Sequence, residues 1–381
     1  MSENPLRQLY DYGQSFWFDS LNREMIVNGD LKRMIEDDGL RGITSNPTIF
    51  HSALSSSDLY DETIAREARQ GKSSEEIFYV IAQEDIRAAC DLLRQVYDDS
   101  QRTDGFVSLE ESPHIAHDTE ASVRDGHHLW ELIDRPNLFV KVPATAEGIP
   151  AVKELLTDGV NVNITLMFAQ ENYAAVAEAY LSAMEERQRR GLPLDTVASV
   201  ASMFVSRIDT KVDGWIDNIV EQELDPDRRE AVKSLRGKLA IANAKLCYQH
   251  YNRFFGSERF LKLAQDGARP QRVLFASTST KDPSYPDTYY VNALIGPNTV
   301  VTMAPATVPA FREHGKTAFT IKEGLDEARE AFSKAEELGL DLDRAMQELQ
   351  DEGVDRFAES FDALIAAIEE KRRQFLPVTS R

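Results

Sequence analysis

The chain has 381 residues, of which 42% are hydrophobic and 28% charged, a composition typical of a globular protein with one large domain or two ordinary ones. Its 64 acidic and 43 basic residues give a formal charge of -21, which argues against nucleic acid or an anionic membrane as the main partner. The two cysteines, Cys90 and Cys247, cannot supply a disulfide framework.

The amino terminus and the hydropathy pattern predict a cytoplasmic protein. The first ten residues, MSENPLRQLY, lack the basic region and following apolar region of a secretory signal. No run of about 18 apolar residues occurs, so we expect no membrane span.

Short apolar segments of strand-like composition alternate with helix-like segments along the chain. Eight such strands are predicted, at 16–20, 42–48, 105–110, 138–143, 161–168, 198–205, 272–278 and 299–304. Eight strand-then-helix units predict a closed parallel (β/α)8 TIM barrel of the α/β class. A doubly wound open sheet is the main alternative, although its usual glycine-rich nucleotide-binding motifs are absent from the sequence.

The segments between the strands carry helical periodicity. Tyr173, Val176 and Tyr180 fall on one helix face, and Gly159 is expected to end the helix before the fifth strand. The segments 57–98, 227–255 and 322–374 are longer than barrel units require. We expect residues 1–381 to form a single barrel domain, with 322–374 as a helical C-terminal extension of it.

Alternation along the strands directs polar side chains into the barrel. In LFVKVP, the aliphatic residues at 138, 140 and 142 share the face that suits the outer helices, so Lys141 points inward. Five strands show this sorting and offer a polar residue near the carboxyl end, where TIM barrels hold their active sites. These residues are Asp19, Asn46, Glu110, Lys141 and Thr165, with Thr44 and Asn163 on the same faces.

Each of these residues also has a simpler explanation when taken alone. A lone lysine in a strand usually lies at an edge, and a lone Asp19 or Asn46 after a strand is more often a turn residue or a helix cap. Thr165 alone fits a strand former. Helix caps and edge strands do not explain why all of these residues lie at the same end of the predicted barrel, so an active site is the better interpretation.

A lysine in a dry pocket suits one kind of chemistry. Desolvation lowers the pKa of an ammonium group and frees its lone pair, so the amine can attack a ketone and form a Schiff base. The protonated imine then accepts electrons as a neighbouring carbon–carbon bond breaks. Asp19 and Glu110 are candidates for the proton transfers. Asn46, Asn163 and Thr165 are suited to holding substrate hydroxyls and a water.

Four segments of the chain resemble the transaldolase family, in its longer bacterial form: GLRGITSNPTIF, NLFVKVPATAEG, GVNVNITLMF and SMFVSRIDTKVD. The resemblance implies a barrel enzyme of the non-oxidative pentose phosphate pathway. Such an enzyme moves a dihydroxyacetone unit from sedoheptulose 7-phosphate to glyceraldehyde 3-phosphate, giving erythrose 4-phosphate and fructose 6-phosphate. It uses no metal or organic cofactor.

The resemblance also implies roles for individual residues. Lys141 corresponds to the Schiff-base lysine, Asp19 to the aspartate that takes the C4 hydroxyl proton, and Glu110 to the acid/base that shares a water with Thr165. It further implies that Asn46 and Asn163 hold the dihydroxyacetone part of the substrate. Ser202 and Arg207 would bind the phosphate. We add Thr44, on the inward face beside Asn46, as a substrate-binding residue.

One departure from the family pattern affects the phosphate site. FASTSTKD stands where many members have a serine–phenylalanine–arginine run, so the second phosphate-binding cation is open. Lys281 and Arg253 are the candidates.

Three other functions remain as alternatives. A simple sugar-phosphate aldolase would use the same lysine without an acceptor. A metal-dependent enzyme would use His114, His117, His127 and His128, although their spacing matches no recognised zinc pattern. A non-catalytic interaction protein would use the acidic C-terminal helices. The sequence leaves the choice between a monomer and a homodimer open.

Overall fold

Eight parallel strands close into a barrel in the order in which they occur along the chain. The computed structural model describes residues 4–376. The strands are β1 (Gln14–Phe18), β2 (Gly42–Thr44), β3 (Phe106–Glu110), β4 (Leu138–Pro143), β5 (Val162–Met167), β6 (Ser199–Phe204), β7 (Arg272–Ala276) and β8 (Thr299–Met303). Because β1 pairs with both β2 and β8, the sheet closes on itself. The prediction of a (β/α)8 barrel is confirmed, and the open sheet is excluded.

Helices fill the connections between the strands. Those from the amino terminus to β5 are α1 (Pro5–Gln8), α2 (Arg23–Val27), α3 (Asp30–Asp37), α4 (Pro47–Ser56), α5 (Asp61–Arg69), α6 (Ser74–Leu92), α7 (Arg94–Asp99), α8 (Thr119–Ile133) and α9 (Gly148–Asp158). Those that follow β5 are α10 (Gln170–Arg189), α11 (Ser206–Gln222), α12 (Pro226–Lys233), α13 (Leu239–Phe255), α14 (Glu258–Gln265), α15 (Tyr289–Ala293), α16 (Thr307–His314), α17 (Leu325–Glu337) and α18 (Leu342–Phe375). Two short 3-10 helices lie at Leu9–Tyr12 and Pro113–Ile115.

Local sequence explains where several elements begin and end. β2 is shorter than predicted because Asn46 caps α4 and Pro47 occupies its first turn. Gly159 ends α9 with φ of +100°, as the sequence predicts, because glycine adopts this left-handed conformation without steric cost. α6 begins with a capping box between Ser73 and Glu76. β1 lies two residues earlier than predicted, so Asp19 directly follows the strand.

An aromatic layer fills the amino-terminal half of the barrel. Phe106 and Phe139 stack with ring centroids 4.2 Å apart, and the Trp17 ring lies 6.0 Å from Phe139. Gly42 on β2 makes room for this layer, since a Cβ there would lie 2.5 Å from the Trp17 ring. Lys141 lies two residues beyond Phe139 on the same strand face, so the aromatic layer lies directly below the lysine.

The C-terminal extension forms two helices, as its periodicity predicts, and the second reaches the barrel mouth. The side chain of Gln350 on α18 donates hydrogen bonds to the carbonyls of Ala144 (2.9 Å) and Leu166 (3.0 Å), at the ends of β4 and β5. Gly353 allows close packing there, since a Cβ would lie 2.8 Å from the Leu166 side chain. α18 therefore lies over the carboxyl end of the sheet. Within residues 4–376, no helix combines the length and apolar character needed to cross a bilayer.

Candidate active site

The carboxyl ends of the strands surround a cavity of about 590 Å³, here called the mouth cavity. This volume falls within the range of small-molecule sites. Seven of the nine predicted site residues line it: Asp19, Thr44, Asn46, Lys141, Thr165, Ser202 and Arg207. The other two, Glu110 and Asn163, contact lining residues from below.

Lys141 is the buried amine of this cavity. The residue is 5% exposed, and its Nζ donates hydrogen bonds to Glu110 Oε2 (3.1 Å) and to the carbonyl of Ser45 (3.0 Å). Neighbouring strands fix this arrangement, because β3 and β4 pair Glu110 with Lys141 in register. The amine is thus held at the barrel mouth with a carboxylate within proton-transfer distance.

Burial changes the protonation behaviour of Glu110. Its side chain is 6% exposed, and burial raises its pKa, while the positive charge of Lys141 opposes the increase. A carboxyl group with a raised pKa gains and releases a proton closer to neutral pH than an exposed glutamate does. Glu110 therefore has the properties of a general acid/base.

Asp19 and Thr44 act as a pair. The Thr44 hydroxyl donates a hydrogen bond to Asp19 Oδ1 at 2.6 Å, a connection between the ends of β1 and β2. Both residues line the mouth cavity. Thr44 therefore orients the Asp19 carboxylate towards the cavity, a role that the sequence did not suggest.

Asn46 is both a helix cap and a residue of the cavity wall. Its Oδ1 accepts a hydrogen bond from the Ile49 backbone at 3.0 Å and so caps α4. The residue also lines the mouth cavity. The cap holds the side-chain amide in one orientation at the cavity wall.

Asn163 lies beneath the cavity wall at the centre of a hydrogen-bonded chain. It is fully buried, its Nδ2 donates to Ser108 Oγ (3.0 Å), and its Oδ1 accepts from Ser202 Oγ (2.6 Å). Asn163 thereby orients Ser202, which does line the cavity. Direct contact of Asn163 with a substrate remains a prediction.

Thr165 presents a buried hydroxyl at an irregular point of β5. Its Oγ1 has no hydrogen-bond partner within residues 4–376. The next residue, Leu166, has φ of +52°, and the pairing of β5 with β6 shifts register here. The irregularity breaks the regular strand geometry just beyond Thr165, at the cavity wall.

One end of the mouth cavity carries several cations. Arg207, at the start of α11, has no carboxylate within 4 Å among the described residues, and burial together with the positive charge of Arg356 lowers its pKa. Lys211 contacts Glu352 at 2.6 Å, and Arg356 contacts the same carboxylate at 3.3 Å. Lys281 also lines the cavity from the loop after β7. This end is suited to a phosphate group.

The hypothesis for Arg253 does not hold. Arg253 is absent from the residues that line the mouth cavity and lies in the last turn of α13. Its guanidinium contacts His250 Nδ1 at 2.7 Å and the Phe254 ring. This part of α13 lies at the amino-terminal end of the barrel, where Tyr248 contacts the Pro297 carbonyl before β8, and Lys281 is the candidate that reaches the mouth.

α18 supplies residues to the cavity that sequence reasoning missed: Leu349, Glu352, Arg356 and Phe357. The Phe357 ring lies 5.9 Å from Lys141 Nζ. The amphipathic pattern of this helix predicted a buried face but gave no sign of the surface that it covers.

The four histidines considered for a metal each contact a different partner. His114 pairs with Asp362 (2.8 Å), His117 with Glu147 (3.2 Å) and His127 with Asp158 (3.2 Å), while His128 packs edge-on against Tyr79. Residues 4–376 contain no cluster of three or more His, Cys, Asp or Glu side chains placed to hold a metal.

The fold and the mouth cavity define a (β/α)8 barrel enzyme with a buried lysine at its active end. The chain matches the family described as transaldolase/fructose-6-phosphate aldolase over residues 16–368, and it belongs to that family. The resemblance seen in the sequence motifs is thereby confirmed.

Relatives named transaldolase match nearly the whole chain. The protein from Thermobifida fusca is 45% identical over 95% of this chain and 96% of its own length. The protein from Trichodesmium erythraeum is 40% identical over 99% of this chain and all of its own. A protein named transaldolase 2, from Nostoc punctiforme, is 43% identical over 99% of this chain and all of its own.

Proposed function

We propose that the protein is a transaldolase of the non-oxidative pentose phosphate pathway. It transfers a dihydroxyacetone unit from sedoheptulose 7-phosphate to glyceraldehyde 3-phosphate and releases erythrose 4-phosphate and fructose 6-phosphate. The observation that carries the proposal is the buried amine of Lys141, held by Glu110 and the Ser45 carbonyl in a cavity that Asp19 also lines. Membership of the family supports the same reaction.

The reaction begins when Glu110 takes a proton from Lys141 Nζ, its hydrogen-bond donor, and the free amine attacks the C2 ketone of the donor sugar phosphate. Glu110 then transfers the proton that lets the carbinolamine lose water and become a protonated imine, with Thr165 holding a water in its path. Asp19 takes the proton of the C4 hydroxyl while the bond between C3 and C4 breaks. The electron pair of that bond moves into the imine, which becomes a neutral enamine, and the aldehyde product leaves.

The second half of the reaction reverses these steps with the acceptor aldehyde. The enamine carbon attacks the carbonyl carbon of glyceraldehyde 3-phosphate, and Asp19 returns its proton to the new hydroxyl. Water then hydrolyses the imine and frees Lys141. Thr44 keeps the Asp19 carboxylate in place throughout, through its 2.6 Å hydrogen bond.

The cationic end of the mouth cavity binds the sugar phosphate. Arg207 lacks a carboxylate partner within the described residues, which leaves its guanidinium available for a bidentate contact with phosphate. Ser202, Lys281 and Arg356 line the same cavity and complete the site. Asn163 orients Ser202 for the phosphate site. Asn46 and Asn163 contact the dihydroxyacetone end, as the sequence predicts.

Retention of the three-carbon unit distinguishes a transferase from an aldolase. The family includes both activities by its description, and both use the same lysine chemistry. Phe357 lies against Lys141 from above and limits the access of water to the enamine. This cover favours transfer, because the enamine survives until an acceptor arrives.

The same proposal covers the compartment, the partners, the cofactors and the oligomeric state of the enzyme. We place the enzyme in the cytoplasm, with phosphorylated sugars as its partners and with residues 322–374 as part of one barrel domain. It needs neither a metal nor an organic cofactor, because the lysine supplies the electron sink. It acts as a monomer or a homodimer.

Borohydride trapping tests the proposal. Fructose 6-phosphate and borohydride should leave a reduced adduct on Lys141, found by peptide mass, and Lys141→Ala should abolish it. An adduct on Lys153 or Lys281 instead would refute the assignment. Product formation timed with and without an acceptor aldehyde separates the two activities: a transaldolase needs the acceptor, whereas an aldolase does not.

A further inference from the structure

The amino-terminal end of the barrel holds a second cavity that the proposed reaction does not use. It has a volume of about 420 Å³, within the range of small-molecule sites. We call it the lower cavity, and its defining residues are Arg102, Asp104, Phe106, Phe139, Arg269 and Arg272.

The inner wall of the lower cavity is aromatic. Phe106 and Phe139 stack there with centroids 4.2 Å apart, and both are 1% exposed. Lys141 lies on the mouth side of the same layer, two residues beyond Phe139. The two cavities are therefore on opposite sides of the aromatic layer, and the nearly fully covered rings of Phe106 and Phe139 close the inner end of the lower cavity.

Arg272 is a fixed part of the cavity wall. Its Nη1 donates to Ser15 Oγ (2.9 Å), and its Nη2 donates to Asp104 Oδ1 (2.8 Å) and to the Thr103 carbonyl (2.6 Å). Asp104 is 1% exposed, so its charge is neutralised by this arginine. Arg41 also lies 3.8 Å from Asp104, so this carboxylate is already matched by two arginines and does not balance Arg269 or Arg102.

Arg269 and Arg102 give the cavity an excess of positive charge. Arg269 donates to the Arg102 carbonyl (3.0 Å) and has no carboxylate within 4 Å among residues 4–376. Arg102 has only Asp195 at 3.8 Å, in an exposed pair of the kind that contributes little. One arginine without a carboxylate partner and one that is weakly paired, side by side, are unexpected in a chain of charge -21.

We propose that the lower cavity binds a small organic anion with an apolar, planar body. The phosphate or carboxylate group of this ligand accepts hydrogen bonds from Arg269 and Arg102, because the guanidinium fork matches both anions. The apolar body occupies the rest of the cavity, whose inner end Phe106 and Phe139 close. The site is separate from the mouth cavity and does not depend on the proposed reaction.

Calorimetric titration with phenyl phosphate and with benzoate tests this proposal, and the two probes separate a phosphate from a carboxylate ligand. At least one should bind saturably to the full-length protein and more tightly than inorganic phosphate or phenol. Arg269→Ala should weaken that binding about tenfold, Arg102→Ala should also weaken it, and Arg269→Lys should restore part of it.

Arg207→Ala is the matched control, since it removes a guanidinium from the mouth cavity instead. It should leave the binding of the aromatic probe unchanged. The proposal is overturned if neither probe binds, if inorganic phosphate binds the Arg207→Ala variant as tightly as the aromatic probe does, or if Arg207→Ala removes binding that Arg269→Ala preserves. A protein without transaldolase activity that still binds the probe through Arg269 would refute the proposed function and support this site.

Discussion

The aromatic ring of Phe357 lies 5.9 Å from the amine nitrogen of Lys141, and it belongs to the C-terminal helix rather than to the barrel. A positive charge at that nitrogen is attracted to the ring face. The hydrogen bonds of Gln350 to the ends of β4 and β5 hold the helix in this position. α18 is therefore an integral wall of the candidate active site.

Phe357→Ala should increase the cleavage of fructose 6-phosphate relative to its use in transfer. Without the ring, water reaches the enamine on Lys141 and protonates it before an acceptor binds. The ratio of the cleavage rate without acceptor to the transfer rate with erythrose 4-phosphate should rise severalfold. Leu364→Ala is the control, because it shortens a buried side chain on the same helix away from the mouth cavity. An equal rise in both variants would contradict the role given to Phe357.

Arg356→Ala should raise the KM for fructose 6-phosphate about tenfold, the cost of a lost charged hydrogen bond, with a smaller effect on kcat. The inhibition constant of inorganic phosphate should rise in parallel, which a purely structural role would not produce. Arg344→Ala removes an arginine from the exposed side of the same helix, where it pairs with Glu348, and should change neither constant. If inorganic phosphate inhibits the Arg356→Ala variant as strongly as the wild type, Arg356 is not part of the phosphate site.

Local sequence was sufficient to predict the barrel and the inward lysine. Parallel strands in a closed sheet bring their carboxyl ends together, so polar residues such as Asp19 and Lys141 converge once their strands are recognised. The aliphatic neighbours Val140 and Val142, both fully buried, left only one direction for the lysine. The ends of the strands were predicted less accurately than their existence. β2, for example, ends earlier than predicted because Asn46 caps the following helix.

Long-range packing was beyond the reach of the sequence. The periodicity of α18 shows that Leu349 and Phe357 share a buried face, but it does not show which surface that face covers. The same limit applies to Arg253, because the pattern did not show that the last turn of α13 packs at the amino-terminal end of the barrel. The lower cavity had no sequence signal, because loops before five different strands form it.

Glu110→Gln should lower kcat by about a hundredfold or more and remove the acid limb of the kcat/KM profile. Burial raises the pKa of Glu110 above the ordinary value of 4.5, so the wild-type limb should have its midpoint above that pH. Activity falls as pH decreases through this midpoint, because protonated Glu110 cannot accept a proton. Glu111→Gln is the control: that buried glutamate also has a raised pKa but contacts Ser122, away from the mouth cavity. Persistence of the limb in Glu110→Gln would exclude Glu110 as its source.

Asp209 on α11 links stability to pH. It is 1% exposed and accepts hydrogen bonds from the Ala240 backbone (2.8 Å) and the Tyr290 hydroxyl (3.1 Å). Burial raises its pKa to about 7. Between the unfolded and folded pKa values, the folded state binds more protons than the unfolded state does, so the free energy of unfolding falls as pH rises.

Asp209→Asn should remove this dependence while keeping the size of the side chain and the bond from Ala240. Urea unfolding between pH 5 and pH 8 should show the free energy of unfolding of the wild type falling by about 2–3 kcal/mol relative to that of the variant. This amount corresponds to about two pH units over which the folded state binds the proton and the unfolded state does not. The comparison isolates one group, because every other titrating residue is common to both proteins. Asp217→Asn removes an exposed carboxylate from the same helix and should track the wild type across this range. A constant difference between wild type and Asp209→Asn at all pH values would mean that Asp209 stays charged in the folded protein, and the raised pKa would have to be abandoned.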